Sequence, residues 1–167
     1  MGALDSQADR LDAAAADIVG MRAAVEAGAP WPLADVYGVE PEASWGPPEL
    51  LAHVEEYLRY WMGEIERVLG GDAAAAVPFG RVATDTLRLG VIGRDRSLPL
   101  REMFARIEAD AARVGARLRE LDESDASRRG LHPARGEMTV RDMLEPFLVG
   151  HTEGHATQLH EILAARS

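Results

Sequence analysis

The 167-residue sequence contains no cysteine, no lysine and no asparagine. Without cysteine there is no disulfide framework, no thiolate metal site and no cysteine nucleophile, so any thiol chemistry must come from another molecule. Without lysine every basic side chain is an arginine, and the abundance of alanine and glycine beside it reads as the mark of GC-rich coding rather than of function. Long apolar runs are missing as well. Nothing reaches the length that spans a bilayer, and the N-terminus lacks the basic-then-apolar layout of a signal peptide. A soluble, cytoplasmic protein with no membrane partner is expected. Positive charge is in deficit, the formal net charge being −10, which argues against a surface for a phosphate backbone. The arginines alternate with acids, as in Arg101-Glu102 and Arg117-Leu118-Arg119-Glu120, the pattern of a solvated face. Nucleic acid is not an expected partner. The length suits one domain, residues 1–167, with a sizeable core.

What is present is helical periodicity, in four long stretches, with no alternation strong enough to predict a sheet. The first runs from about Leu4 to Ala27, with Leu11, Ile18, Met21 and Val25 on one side. The second opens at Pro47-Pro48, where first-turn amides lack intrahelical partners anyway, and carries Leu50, Leu51, Val54, Leu58, Trp61, Ile65 and Val68 before stopping at Gly70-Gly71. In the third, Leu100, Met103, Ile107, Ala111, Val114, Leu118 and Leu121 step by three or four, with Ser97 as the candidate N-cap. The fourth opens at Thr139-Val140-Arg141-Asp142, a capping box with a shortened acid, and continues through Met143, Phe147, His151, His155 and Ile162. Pro146 interrupts it and predicts a kink or weakened turn just before the histidines. Gly150 and Gly154 each cost helix propensity, roughly 1 kcal/mol relative to alanine; they either permit close helix contact or leave room beside a bound group.

The chemistry of the chain centres on histidine. His151 and His155, four residues apart, share a helix face, so both imidazoles can reach one ion. His53 lies on the second stretch. The segment from Gly70 to Arg96 is long enough to run the length of a helix and return, which makes the second and third helices parallel and the bundle all-α, four-helix and up-down-down-up, with a long crossover between helices 2 and 3. Helix 4 then opposes helix 2. His53, about 9 Å from the start of its helix, and the His151/His155 pair, about 16 Å from the end of theirs, can share a layer at 1.5 Å per residue. Three imidazoles with an open fourth position would make a reactive rather than a structural site. The competing reading of each is a core histidine with a satisfied hydrogen bond. Glu153 is not placed as the general base of a helical zinc protease, whose motif sets the acid next to a histidine. His160 is expected near the surface and His132, before Pro133, in a turn with a structural role. Glu56 and Tyr57 are candidates to orient an imidazole or touch substrate, or else to pack.

The segment from Trp45 through Gly-Pro-Pro-Glu-Leu-Leu-Ala to His53, and that from Met138 through His151-Thr-Glu-Gly-His155 to Leu159, resemble the DinB/YfiT-like superfamily of metal-binding four-helix bundles. Arg59-Tyr60-Trp61 and Arg94-Asp95-Arg96 are similar too, though less specific. The resemblance implies an up-down-down-up bundle in which His53, His151 and His155 bind a divalent metal, typically zinc or nickel, and often a homodimer. Its characterised members include enzymes that use low-molecular-weight thiols such as bacillithiol, mycothiol or glutathione, so the implied activity is a metal-dependent thiol S-transferase with a small-molecule substrate. Pro146 and the glycines around His151 depart from the family's more polar, histidine-rich turn. The alternatives are a non-catalytic bundle whose metal or apolar surface serves stability or dimerisation, and a metal-assisted hydrolase. A metal activates a thiol or a water because the cation stabilises the anion.

Overall fold

All four periodic stretches are helical in the computed structural model, which describes residues 2–37 and 41–166, the second and third as unbroken helices. The first is divided at Met21 into α1 (Asp5–Gly20) and α2 (Arg22–Ala27), followed by the single turn α3 (Pro41–Ser44) and the long α4 (Pro47–Gly70). The crossover contains β1 (Val77–Pro78) and α5 (Thr86–Asp95), and leads to α6 (Leu100–Glu120) and the short α7 (Glu123–Ala126). A hairpin of β2 (Arg129–His132) and β3 (Gly136–Thr139) then feeds the last helical run, which comprises α8 (Val140–Leu144), a π-helical segment at Glu145–Val149, and α9 (Gly150–Ala164).

Side-chain pairs fix the helix directions. Between α4 and α6 the partners Glu55–Arg106, Arg59–Asp110 and Glu66–Arg117 all keep a separation of 51 positions, so the two helices run parallel. Between α1 and α9, Arg10–Glu153 and Asp17–His160 both keep 143, so these are parallel as well. Across α4 and the last helix the numbers move in opposite senses: Trp61 stacks on Phe147, Tyr57 bonds Thr152, and His53 meets His155. These two are antiparallel. Arg119, near the end of α6, reaches Asp9 and Asp12 near the start of α1, so that pair is antiparallel too. The result is the up-down-down-up bundle with its crossover between α4 and α6. Leu11, Ile18, Leu51, Leu58, Ile107 and Leu148 are fully withdrawn from solvent at its centre.

Three local expectations need correction. Pro99, not Ser97, stands at the N-cap of α6. The crossover is not bare, since Asp85 accepts from the Arg88 amide at 2.9 Å and starts α5; exposed Leu87 on that helix dilutes its apolar stripe. And there is a small three-stranded sheet in the order β1-β2-β3, β1 parallel and β3 antiparallel to β2. Its central strand defeats a hydropathy reading, because the inward positions are Gly130 and His132 while Leu131 faces out. A Cβ at Gly130 would lie 2.6 Å from Phe79 and 2.7 Å from Met143, so only glycine lets this strand approach the core. Among the described residues no helix is long and apolar enough to cross a membrane.

Candidate metal centre

His53 sits on the second turn of α4, and the start of that helix is held by a wholly buried acid. Glu49 accepts from the Gly46 amide at 3.2 Å, from the Ala34 amide at 3.0 Å and from Arg96 at 3.1 Å. This fixes the helix entry one turn before the imidazole. His151 and His155 project from α9 toward the same point. His53 Nε2 lies 3.0 Å from His151 Nε2, which lies 3.2 Å from His155 Nε2. Ligand atoms of the three residues all fall within 4.8 Å of one another.

The proton positions follow from the neighbours. The Gln158 amide nitrogen donates to the Glu42 carbonyl at 2.7 Å, which leaves the Gln158 oxygen facing His155 Nδ1 at 3.0 Å. That oxygen can only accept. His155 Nδ1 therefore carries the proton, and Nε2 turns its lone pair inward. An Arg88 amino group, 3.4 Å from His53 Nε2, is likewise only a donor, so this nitrogen too presents a lone pair. The His53 Nδ1 proton then has no partner among the described residues. Burial pushes all three imidazoles toward the neutral form: His53 well below its usual range and His151 down to about 3, with cationic neighbours adding to the effect, and His155 in the same direction although the Gln158 hydrogen bond and the Glu42 carboxylate oppose it. Neutral imidazole is the metal-binding form.

Nε2 of His53 and of His155 both turn lone pairs toward His151 Nε2, whose single proton can satisfy one of them, whereas a cation between the three satisfies all. Two nitrogens bound at about 2.05 Å are separated by roughly 3.3 Å at the tetrahedral angle and roughly 2.9 Å at a right angle. The observed 3.0 and 3.2 Å lie within that interval and the third pair lies within 4.8 Å, so the three histidines could hold a divalent ion.

The surroundings separate the other candidates. Tyr57 is fully buried, with ring centroids 5.0 Å from His53 and 4.6 Å from His151. Thr152 spends its hydroxyl proton on the Leu148 carbonyl at 2.6 Å, so the Tyr57 hydroxyl must donate to Thr152 Oγ1, 2.7 Å away. Burial raises the phenol above its ordinary range; it packs as a wall. Glu56 binds Arg81 rather than a histidine. The residue that orients an imidazole is Gln158, three positions after His155, inside the segment that carries the family resemblance but not itself among the candidates. Arg88 and its carboxylate partner Glu42 come from elements the sequence reading did not resolve. Glu153 pairs with Arg10, and exposed His160 with Asp17. His132 is buried in β2 instead of lying in a loop. Its Nδ1 accepts from the amides of Ala134 and Arg135, and its Nε2 donates to the Arg81 carbonyl, which is a structural role.

His53, His151, Tyr57 and Glu42 form part of the wall of a cavity of about 370 Å³, the lower end of the size range of small-molecule sites. The histidine cluster thus opens onto a space where a substrate can lie.

The sequence pattern of the DinB superfamily matches residues 3–159. The chain belongs to the DinB superfamily. Among solved structures this DinB-superfamily protein is similar to YfiT from Bacillus subtilis, described as a probable metal-dependent hydrolase with an unusual four-helix bundle topology. The two share 18% sequence identity with a TM-score of 0.73, over 97% of this chain and 86% of that one. At that identity the likeness shows the common fold. No curated protein gives a significant match.

Proposed function

We propose that this DinB-superfamily chain is a metal-dependent small-molecule enzyme in which His53, His151 and His155 hold one divalent ion, zinc or nickel, and that it transfers a low-molecular-weight thiol such as mycothiol or bacillithiol to an electrophile. The observation that carries the reading is the convergence of inward-facing Nε2 atoms at the edge of a cavity. A purely structural site closes its coordination with protein ligands; two of the three histidines, His53 and His151, line open space, which leaves a position for a reactant. The ion would supply Lewis acidity, which favours the ionised form of an incoming thiol at neutral pH. The chain's own residues do the rest: Gln158 fixes the His155 tautomer, Tyr57 walls the imidazoles in, and the Arg88–Glu42 pair flanks His53. A thiol nucleophile, in a chain without cysteine, would come from a diffusible molecule. The same reading takes residues 1–167 as one domain acting in the cytoplasm, as a homodimer.

A second reading, metal-assisted hydrolysis, is favoured by the Glu42 carboxylate 3.8 Å from His53 Nε2, where it could hold a water. Elemental analysis of untagged protein tests the shared foundation. About one metal ion per chain is expected in the wild type, with loss in the His151→Ala, His155→Ala double variant that stays helical. A wild type that stays metal-free after incubation with zinc and nickel overturns the reading. Turnover of an electrophile that requires added thiol supports transfer, whereas turnover independent of thiol supports hydrolysis.

A further inference from the structure

In a chain of net charge −10, the cavity beside the histidines is lined by three guanidinium groups, those of Arg81, Arg88 and Arg135, against one lining carboxylate, Glu42. Arg88 is paired with Glu42 and Arg81 with Glu56. Arg135 is different. Among the described residues no carboxylate lies within 4.0 Å of it, and its guanidinium stands over the Phe147 ring, 5.4 Å from the centroid. Most arginines of this protein are bound to an acid, so an uncommitted one at the rim of the cavity is free to take an anion from outside. The lining also includes the largely buried aromatic pair Trp61 and Phe147, stacked on each other with centroids 4.0 Å apart and an interplanar angle of 15°.

The two arginines outside the histidine layer are held by one residue. His132 donates from Nε2 to the Arg81 carbonyl at 3.2 Å, and its Nδ1 accepts from the Arg135 amide at 3.2 Å. Gly80, beside Arg81, has φ +84° and its missing Cβ would lie 2.5 Å from the His132 ring. The crossover and the β2–β3 turn are thereby joined through one imidazole, and each brings a positive charge to the cavity. The geometry points to a small planar carboxylate as the ligand, its anionic end beside Arg135 and within the field of Arg81 and Arg88, its flat body against the Trp61–Phe147 pair. Guanidinium forks match carboxylates in shape as well as charge. This rests on the cavity being the substrate-binding part of the proposed site, and it does not depend on which ion the imidazoles hold.

The test uses full-length protein stripped of metal by chelating resin, titrated with benzoate, benzamide and inorganic phosphate by ligand-observed NMR. Benzoate is expected to bind at least fivefold more tightly than either benzamide, which lacks the charge, or phosphate, which lacks the flat body. Arg135→Gln, an exposed substitution, is expected to weaken benzoate about fivefold and leave benzamide unchanged, while Arg101→Gln, a control for the loss of one surface charge, changes neither. Benzamide or phosphate binding as tightly as benzoate, or an Arg135→Gln variant that binds benzoate like wild type, overturns the inference. Zinc titration of the same samples separates the two proposals. Protein that takes up benzoate but no zinc retains the carboxylate cavity and loses the metalloenzyme, and protein that takes up zinc but no benzoate does the reverse.

Discussion

Replacing Gln158 with leucine probes the centre without replacing any of its three histidines. The native amide makes two bonds, one oxygen to His155 Nδ1 at 3.0 Å and one nitrogen to the Glu42 carbonyl at 2.7 Å. Leucine has neither group. The imidazole then loses the acceptor that keeps its proton on Nδ1, so a fraction of His155 presents an N–H to the centre in place of a lone pair, and the ring is free to turn. Removal of such an outer partner typically lowers metal affinity about 10- to 100-fold, equivalent to about 1.4–2.7 kcal/mol. The lower figure is close to the net worth of one hydrogen bond, about 1 kcal/mol; the upper requires the tautomer effect as well. Competition between the protein and a chromophoric zinc chelator at pH 7.5 measures the change, with thermal unfolding of the zinc-free form run alongside. His160→Gln on the same helix is the control, because that ring is exposed and pairs with Asp17 away from the centre. If Gln158→Leu binds zinc within twofold of wild type, or if His160→Gln weakens zinc equally, the argued role of Gln158 is wrong.

Two glycines of the last helix are expected to respond in opposite ways to the same substitution. A Cβ at Gly154 meets nothing within 4 Å, so Gly154→Ala should gain about 0.5–1 kcal/mol of propensity and raise Tm by about 1–4 °C, whereas Gly150→Ala should lower Tm, because its Cβ would lie 2.8 Å from the Glu145 carbonyl oxygen; circular dichroism melts of the two variants decide. A third expectation concerns pH. Burial lowers the His132 pKa in the folded state, so the unfolded chain binds the proton more readily; the contribution is complete above about pH 6.5 and is lost as pH falls through the folded value, by at most about 1.4 kcal/mol per pH unit. Between pH 7.5 and 5 the Tm of His132→Gln should therefore fall less than that of wild type, and equal slopes would refute it.

How much was legible in the sequence follows from the kind of signal each element carries. α4 and α6 bury a continuous apolar stripe, and their ends are marked by Pro47-Pro48, Gly70-Gly71 and Leu121, so their spans could be read directly. The crossover direction could be inferred from its length alone. The residues that converge on the histidine centre were identifiable because ligands come from a short menu of side chains and helical spacing limits which can meet. What surrounds them was not, for a physical reason. Gln158, Arg88, Arg81 and Arg135 matter through the particular partners and positions the fold gives them in space, and a polar residue carries no periodic trace of what it faces. β2 was hidden because its buried side carries glycine and histidine, residues chosen for close approach and hydrogen bonding rather than for hydropathy.

Pro146 and Gly150 looked like two separate irregularities before the histidines, and the structure makes them parts of one device. Proline has no amide hydrogen, so in a regular α-helix it leaves a carbonyl four residues earlier without its donor and presses its ring on that turn. The segment Glu145–Val149 is π-helical instead, a local widening of the kind that accommodates one extra residue in a helix and is frequent at functional sites. Widening brings the Glu145 carbonyl toward the residue five positions on, and that residue is Gly150, where a Cβ would sit only 2.8 Å from the carbonyl oxygen. The proline disfavours the regular ladder and the glycine makes the wider one sterically possible. One extra residue rotates everything that follows by about 100° relative to the turns before it. Ahead of the π segment the buried positions are Val140, Met143 and Leu144; beyond it they are Thr152, His155, Ala156 and Leu159. The shift in phase therefore sets which side of α9 faces α4. It lets Thr152 meet Tyr57 while His151 and His155 both reach His53. In a helix continued without the bulge, His151 and His155 would stay in phase with Val140 and Leu144 while Thr152 turned away from Tyr57, so the irregularity in the backbone sets where on the buried face the two imidazoles stand.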